Sequence, residues 1–190
     1  MDTVLHEIRK YAQVWSLPEY RRQAHGLTLW KTRPEIFPPN IRTALDLGCG
    51  HGRLMAYWND HGIDAWGMDL VDALDDDVRG RYGDRLLKSP LWELESYRRF
   101  DVAVAADVLE HIPPQWVDET LEAIFAFAEV LIAQTAEFES RAGGHDLHLT
   151  IQPSCWWRAR MEQFGGIVEE FPCDQSRGKK HLLRWSHVRG

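Results

Sequence analysis

The chain has 190 residues, enough for one domain with a sizeable core. Its hydrophobic fraction of 44% and charged fraction of 27% are ordinary for a globular protein, and no apolar run approaches the length of a membrane span. The net charge of −7 supplies no global positive field for nucleic acid or an anionic membrane.

Cys49, Cys155 and Cys173 are odd in number and far apart, so they imply neither a disulfide framework nor a zinc site. The first ten residues lack the apolar segment of a signal peptide, and a cytoplasmic location is the default expectation. Nine tryptophans are many for this length; some belong in the core and others can line a pocket.

In chain order, Leu5, Ile8, Tyr11, Ala12 and Trp15 recur at helical spacing and predict an amphipathic helix. Pro18 opens a second helical segment, from Glu19 to about Leu29, and Pro34, Pro38 and Pro39 then break the chain. Arg42 to Leu47 reads as a strand, His51 to His61 as a helix ended by Gly62, Ala65 to Leu70 as a second strand, and Val71 to Arg79 as a helix. A short third strand surrounds Leu86, and the continuous apolar run Phe100 to Ala106 fits a strand buried on both faces. Trp116 to Ala128 carries Val117, Leu121, Ile124, Phe125 and Ala128 on one helical face. Val130 to Gln134 is a fifth strand, Pro153 to Phe164 a helix, and Ile167 to Phe171 with His181 to Val188 a closing hairpin. This alternation predicts a mostly parallel sheet with helices on both faces.

Two segments carry chemistry. The first runs Thr43-Ala44-Leu45-Asp46-Leu47-Gly48-Cys49-Gly50-His51-Gly52-Arg53-Leu54, a strand entering a three-glycine turn and a helix start. Glycines let backbone turn sharply and approach a ligand, and a helix start points free N–H groups into the same space. The spacing is G-x-G-x-G rather than the G-x-G-x-x-G of dinucleotide folds, and Asp46 would repel a pyrophosphate but attract a cationic amino group. The second is Ala105-Ala106-Asp107-Val108-Leu109-Glu110-His111-Ile112-Pro113.

The first segment closely resembles motif I of the class I S-adenosylmethionine (SAM) dependent methyltransferases. The second resembles the D-V-L-E-H-I-P motif that follows the fourth strand in their small-molecule and lipid members. The resemblance covers about residues 42–135 and implies an α/β, Rossmann-like sheet of seven strands, mostly parallel, with the last strand antiparallel and helices on both faces. It implies an N-terminal helical cap over residues 1–40 and a SAM-binding domain over residues 41–190.

For the cofactor it implies Asp46, Gly48, Cys49 and Gly50 at the first strand, and Asp69 with Leu70 at the second. Asp69 can accept hydrogen bonds from both ribose hydroxyls, or cap the following helix. Leu91 or Trp92 covers the adenine, although Trp92 reads equally as core, and the backbone near Ala106 faces the methionine end. The Leu-Glu-His turn is largely structural in the family, with His111 on the acceptor side.

The acceptor side is Glu137 to Trp157, which contains Gly143-Gly144-His145-Asp146-Leu147-His148-Leu149-Thr150 and Trp156-Trp157. It resembles the H-x-x … P-x-x-W segment of bacterial methyltransferases that often act on sugars or small metabolites. A histidine is the usual base near pH 7, and His148 is favoured over His145 for that role. The same residues can bind a polar substrate, hold a divalent metal between His145, Asp146 and His148, or form hydrogen-bonded structure only. Of the tryptophan pair, one is core and Trp156 is the pocket candidate. Tyr11, Tyr20 or Arg21 can reach the methionine carboxylate or an acidic substrate, or belong to a solvated face.

The expected function is methyl transfer from SAM to a small polar metabolite, sugar-like or natural-product-like, with oxygen preferred. The expected oligomeric state is a monomer or homodimer, with no nucleic-acid or membrane partner. A base-directed N-methyltransferase would carry N/D-P-P-Y/F/W after the fourth strand, and here Asp107 is followed by Val-Leu-Glu. A protein N-methyltransferase, a dehydrogenase and a non-catalytic SAM-binding protein compete with this expectation, because a fold does not fix a function.

Overall fold

The computed structural model describes residues 3–94, 98–176 and 178–187. Among these residues, the nine strands are β1 (Thr43–Leu47), β2 (Asp64–Asp69), β3 (Leu86–Lys88), β4 (Val102–Ala106), β5 (Val130–Ala136), β6 (Arg141–Ala142), β7 (His145–Asp146), β8 (Ile167–Phe171) and β9 (Lys180–Ser186). Seven of them form the central sheet, in the order β3-β2-β1-β4-β5-β9-β8, and β6 pairs with β7 in a separate hairpin. The first five strands pair in parallel, while β9 runs antiparallel to both β5 and β8. Strand order reverses between β1 and β4, where Leu47 lies opposite Ala105. In an open α/β sheet, this is where ligands bind beyond the strands' carboxyl ends.

Alternation along the central strands builds two cores. Leu45 and Leu47 of β1, Ala103 and Ala105 of β4, and Leu131 and Ala133 of β5 face one core with α5 (Val117–Phe127) and α6 (Ser154–Glu162). Ala44, Val102, Val104 and Ile132 face the other, with α2 (His25–Thr32), α3 (Arg53–Asp60) and α4 (Asp76–Tyr82). Both faces are therefore covered, which explains the unbroken apolar sequence of β4. Among the described residues, no helix is long and apolar enough to cross a membrane.

Several boundaries differ from the sequence pattern. The N-terminal helix α1 spans Thr3–Ser16, but the segment after Pro18 divides into a 3-10 turn, Tyr20–Arg22, and α2. The chain leaves helical geometry between them, with Gln23 extended and Ala24 at φ −154°. The helix expected from Val71 begins at Asp76. Asp69 and Asp72 take the N–H groups of Val71 (3.3 Å) and Leu74 (3.4 Å), a local competition that keeps the intervening chain out of a helix. Asp69 is thus not the cap of that helix; Asp75 occupies the capping position. The β6–β7 hairpin turns on Gly143 and Gly144, both with positive φ, and its two-residue strands are too short to show a sequence period. The end of the last expected strand, Val188, lies outside the described residues.

Candidate functional site

The loop after β1 fits the space it occupies only because it is glycine. Gly48 and Gly50 take φ of +62° and +49°, and a Cβ would stand 2.6 Å from Val108 at the first and 2.4 Å from the Trp15 ring at the second. Val108 belongs to the turn after β4 and Trp15 to α1, so these two elements close on the loop. The Gly50 N–H donates to Asp69 Oδ2 at 2.9 Å, tying the loop to the end of β2. Cys49, buried, donates its N–H to the Met68 carbonyl at 3.0 Å.

Two buried carboxylates stand here without a cationic partner among the described residues. Asp46 is 6% exposed and Asp69 8%. Burial, reinforced by the charge of Asp69, pushes the Asp46 carboxyl up to about 8. Burial raises Asp69 to about 6 against the opposing pull of the Gly50, Val71 and Leu70 N–H groups. Buried acids of this kind are stabilised by a ligand that brings a positive charge or hydroxyl donors.

The turn after β4 holds the second group. Asp107 has φ +57°, in the left-handed region that side chains rarely adopt. Its Oδ2 pairs with Lys180 of β9 and with His25 Nδ1 (3.2 Å), while its Oδ1 is buried without a hydrogen-bond partner. Glu110, 0% exposed, accepts the Ala136 N–H on Oε1 at 3.0 Å, and its Oε2 has no partner. Burial and then the Asp107 charge hold the Glu110 carboxyl well above the usual range.

His111 Nδ1 shares a 2.8 Å hydrogen bond with the Tyr11 hydroxyl, and its ring meets that of His148 edge-on at 4.8 Å. Burial lowers His111 to about 3 and raises the Tyr11 hydroxyl well above its usual value, so both are neutral. His148 Nδ1 lies 2.5 Å from the Phe138 carbonyl. A carbonyl only accepts, so Nδ1 carries the proton and Nε2 the lone pair. Burial also holds the His148 pKa below its usual value.

Most of these groups line one cavity of about 300 Å³, within the size range of small-ligand sites, and Glu110 is buried behind its wall. Asp46, Gly48, Cys49, Asp69, Leu70, Leu91, Trp92, Ala106, Tyr11, Tyr20, His111 and His148 all contribute to its wall. Gly50 does not; it acts behind the wall through Asp69. Trp92 lines the cavity while stacking on Trp116 at 6.0 Å.

Four expected site residues lie elsewhere. Arg21 lines a separate surface depression with Asp72, Asp75 and Arg79, because the 3-10 turn carries it away from the cavity. Trp156 packs on the α5–α6 core beside Trp157, under the Arg160 guanidinium. His145 is held by Gln13 of α1 at 2.8 Å, and Asp146, exposed, pairs with Arg141 across the hairpin at 2.7 Å. The group His145, Asp146 and His148 is therefore not assembled: the β6–β7 turn sends the first two outward. The residues that join His148 are Glu110 and His111.

Trp15, His25, Glu110, Phe138 and Lys180 also line the cavity or meet its polar groups, and sequence patterns do not single them out. Glu110 lies within the D-V-L-E-H-I-P segment, directly between Leu109 and His111. His25 and Lys180 reach Asp107 from α2 and β9, and no local pattern announces such a contact.

The profile of the methyltransferase domain family matches residues 19–170. No curated protein matches the chain. Among solved structures it is similar to a SAM-dependent methyltransferase from Clostridium acetobutylicum, with a TM-score of 0.68 at 12% identity over 94% of this chain and 98% of that one. It is similar to the 1,6-didemethyltoxoflavin-N1-methyltransferase of Burkholderia thailandensis, solved with 1,6-didemethyltoxoflavin and S-adenosylhomocysteine (TM-score 0.64, 19% identity, 98% and 88% covered). It is also similar to a sugar N-methyltransferase from Streptoalloteichus (TM-score 0.65, 15% identity, 94% and 93% covered). Identities this low speak for the fold, and the family match spans most of the chain, both motifs included: the chain belongs to the methyltransferase domain family and has the class I SAM-dependent methyltransferase fold.

Proposed function

We propose that the protein transfers a methyl group from SAM to an oxygen of a small polar acceptor. One observation carries this reading: a single cavity presents, among the described residues, two buried carboxylates without a cationic partner on the β1–β2 side and the His111–His148 pair on the β4–β5 side, with Glu110 buried behind the pair. Bound there, SAM supplies a methyl group already activated on a sulfonium sulfur. Asp46 then attracts the cationic amino group, and Asp69 accepts from ribose hydroxyls. Leu91 and Trp92 offer an apolar face to the adenine. Residues 1–40 act as the cap of the 41–190 domain, with Tyr11, Trp15 and Tyr20 closing the cavity against water.

The acceptor lies beside His111 and His148, where the lone pair on His148 Nε2 is the electron-pair donor. A hydroxyl must lose a proton as it is methylated, and this end supplies the means. The Burkholderia and Streptoalloteichus enzymes act on small molecules, in keeping with a cavity of this size. Their acceptor atom is nitrogen; the Glu-His-His group is what favours oxygen here. Titration calorimetry with SAM and S-adenosylhomocysteine tests the reading. Micromolar binding of both is expected, and binding of neither would overturn it.

A further inference from the structure

Glu110, His111 and His148 each place one ligating atom within 4.8 Å of the other two. Backbone bonds fix this arrangement without any ligand. The Glu110 carbonyl accepts the N–H groups of Leu149 (2.8 Å) and Thr150 (2.9 Å), joining the turn that carries Glu110 and His111 to the loop that carries His148. On the side chains, Glu110 Oε1 is held by the Ala136 N–H and His148 Nδ1 by the Phe138 carbonyl. Two of the residues thus keep one polar atom uncommitted, Glu110 Oε2, buried with no hydrogen-bond partner, and His148 Nε2, with its lone pair, while His111 Nδ1 is held by the Tyr11 hydroxyl. Metal-binding histidines and carboxylates are oriented in this way, by donating or accepting through the atom that does not touch the metal. An unpartnered carboxylate oxygen in the interior is costly unless something fills the place beside it. Asp107 Oδ1, also buried and unpartnered, adds negative charge nearby and balances Lys180.

We propose that Glu110, His111 and His148 bind one divalent first-row transition cation, which draws on the acceptor hydroxyl during methyl transfer. Two imidazoles and one carboxylate suit Zn²⁺, Co²⁺ or Mn²⁺ better than Mg²⁺ or Ca²⁺. Three protein ligands leave open positions for an acceptor oxygen, and the cation makes its proton easier to lose. In the step, the new O–CH₃ bond forms as the S–CH₃ bond breaks. That electron pair returns to sulfur, and the hydroxyl proton passes to water. This inference rests on the methyl-transfer reading and assigns what the His148 lone pair holds: a cation rather than the acceptor's proton.

The test is to titrate metal-stripped protein with Co²⁺ and Zn²⁺, following heat and the visible absorption of Co²⁺, with S-adenosylhomocysteine binding measured in parallel. One equivalent should bind, and affinity should fall about tenfold or more in both His148→Ala and Glu110→Gln. Asp146→Asn should leave it unchanged. S-adenosylhomocysteine affinity shows which variants remain folded, and His148→Ala carries the test if buried Glu110 tolerates no change. Absence of cation binding, or binding that both variants leave within twofold, overturns the proposal. If S-adenosylhomocysteine still binds in that case, the methyl-transfer reading survives and His148 is left as a proton acceptor. If neither ligand binds, both readings fall.

Discussion

Gly50 and Asp69 are joined by a 2.9 Å hydrogen bond from the glycine N–H to the carboxylate, which locks the loop after β1 to the end of β2. The bond makes the loop's shape and the acid's position one feature. Asp69→Ala removes the loop's anchor and, on the proposed reading, a ligand acceptor. We expect SAM and S-adenosylhomocysteine to bind about 1–3 kcal/mol more weakly, about 5- to 150-fold in Kd. Unchanged affinity by calorimetry would take Asp69 out of the site.

The same pair of acids sets a pH dependence. Asp46 and Asp69 have carboxyls raised to about 8 and about 6 from an ordinary 3.8. The folded protein therefore holds protons that the unfolded chain has released. Their contribution to stability is fully present below about pH 4 and is lost as pH rises through 6 and 8. A cationic ligand favours the charged acid, so SAM binding should release protons between pH 6 and pH 8. Calorimetry in buffers of different ionisation heat reads this directly. A binding enthalpy independent of buffer at pH 7, or one that Asp46→Asn leaves unaltered, would contradict it.

Gly50→Ala should be far worse than Gly62→Ala. Both have positive φ, but a Cβ at Gly50 would meet the Trp15 ring at 2.4 Å, whereas at Gly62 nothing lies within 4 Å. The backbone strain is common to both, about 1–2 kcal/mol. The clash at Gly50 adds to it and pushes α1 off the loop. Thermal denaturation should show a larger drop in Tm for Gly50→Ala, accompanied by lost S-adenosylhomocysteine affinity. Equal drops would mean that Trp15 moves aside freely.

His148→Ala should lower turnover about 100-fold or more while S-adenosylhomocysteine affinity changes little. His145→Ala should leave turnover within about twofold, because its ring is turned to Gln13 outside the cavity. The reverse result would return His145 to the acceptor side.

Tyr11→Phe deletes the hydroxyl that meets His111 Nδ1 at 2.8 Å. A loss of about 1–3 kcal/mol is expected, since the partner stays buried without a donor. If the contact positions His111 for the acceptor, that loss falls on kcat/KM for the acceptor and not on the Kd of S-adenosylhomocysteine. A shift confined to Tm would reduce Tyr11 to a packing role.

The sequence by itself determined the sheet and the proposed cofactor end. Period-two and unbroken apolar runs decide which strands are buried on both faces. Asp46, Gly48 and Asp69 sit where a strand meets a turn, so local geometry aims them at one place, with Gly50 tied to Asp69 behind it. Local pattern misleads where side chains compete with the backbone, as at Asp69 and Asp72, whose carboxylates delay α4 to Asp76. It also misleads where two positive-φ glycines reverse the chain, as in the hairpin that turns His145 and Asp146 outward.

Only the tertiary structure decided the proposed acceptor end. Glu110 and His148 are 38 positions apart, and they meet because β4 and β5 are neighbours whose following segments exchange backbone hydrogen bonds. Lys180 reaches Asp107 because β9 inserts antiparallel beside β5. Contacts of this kind depend on strand order and on which buried polar atom is left without a partner, and neither is written in the spacing of residues along the chain.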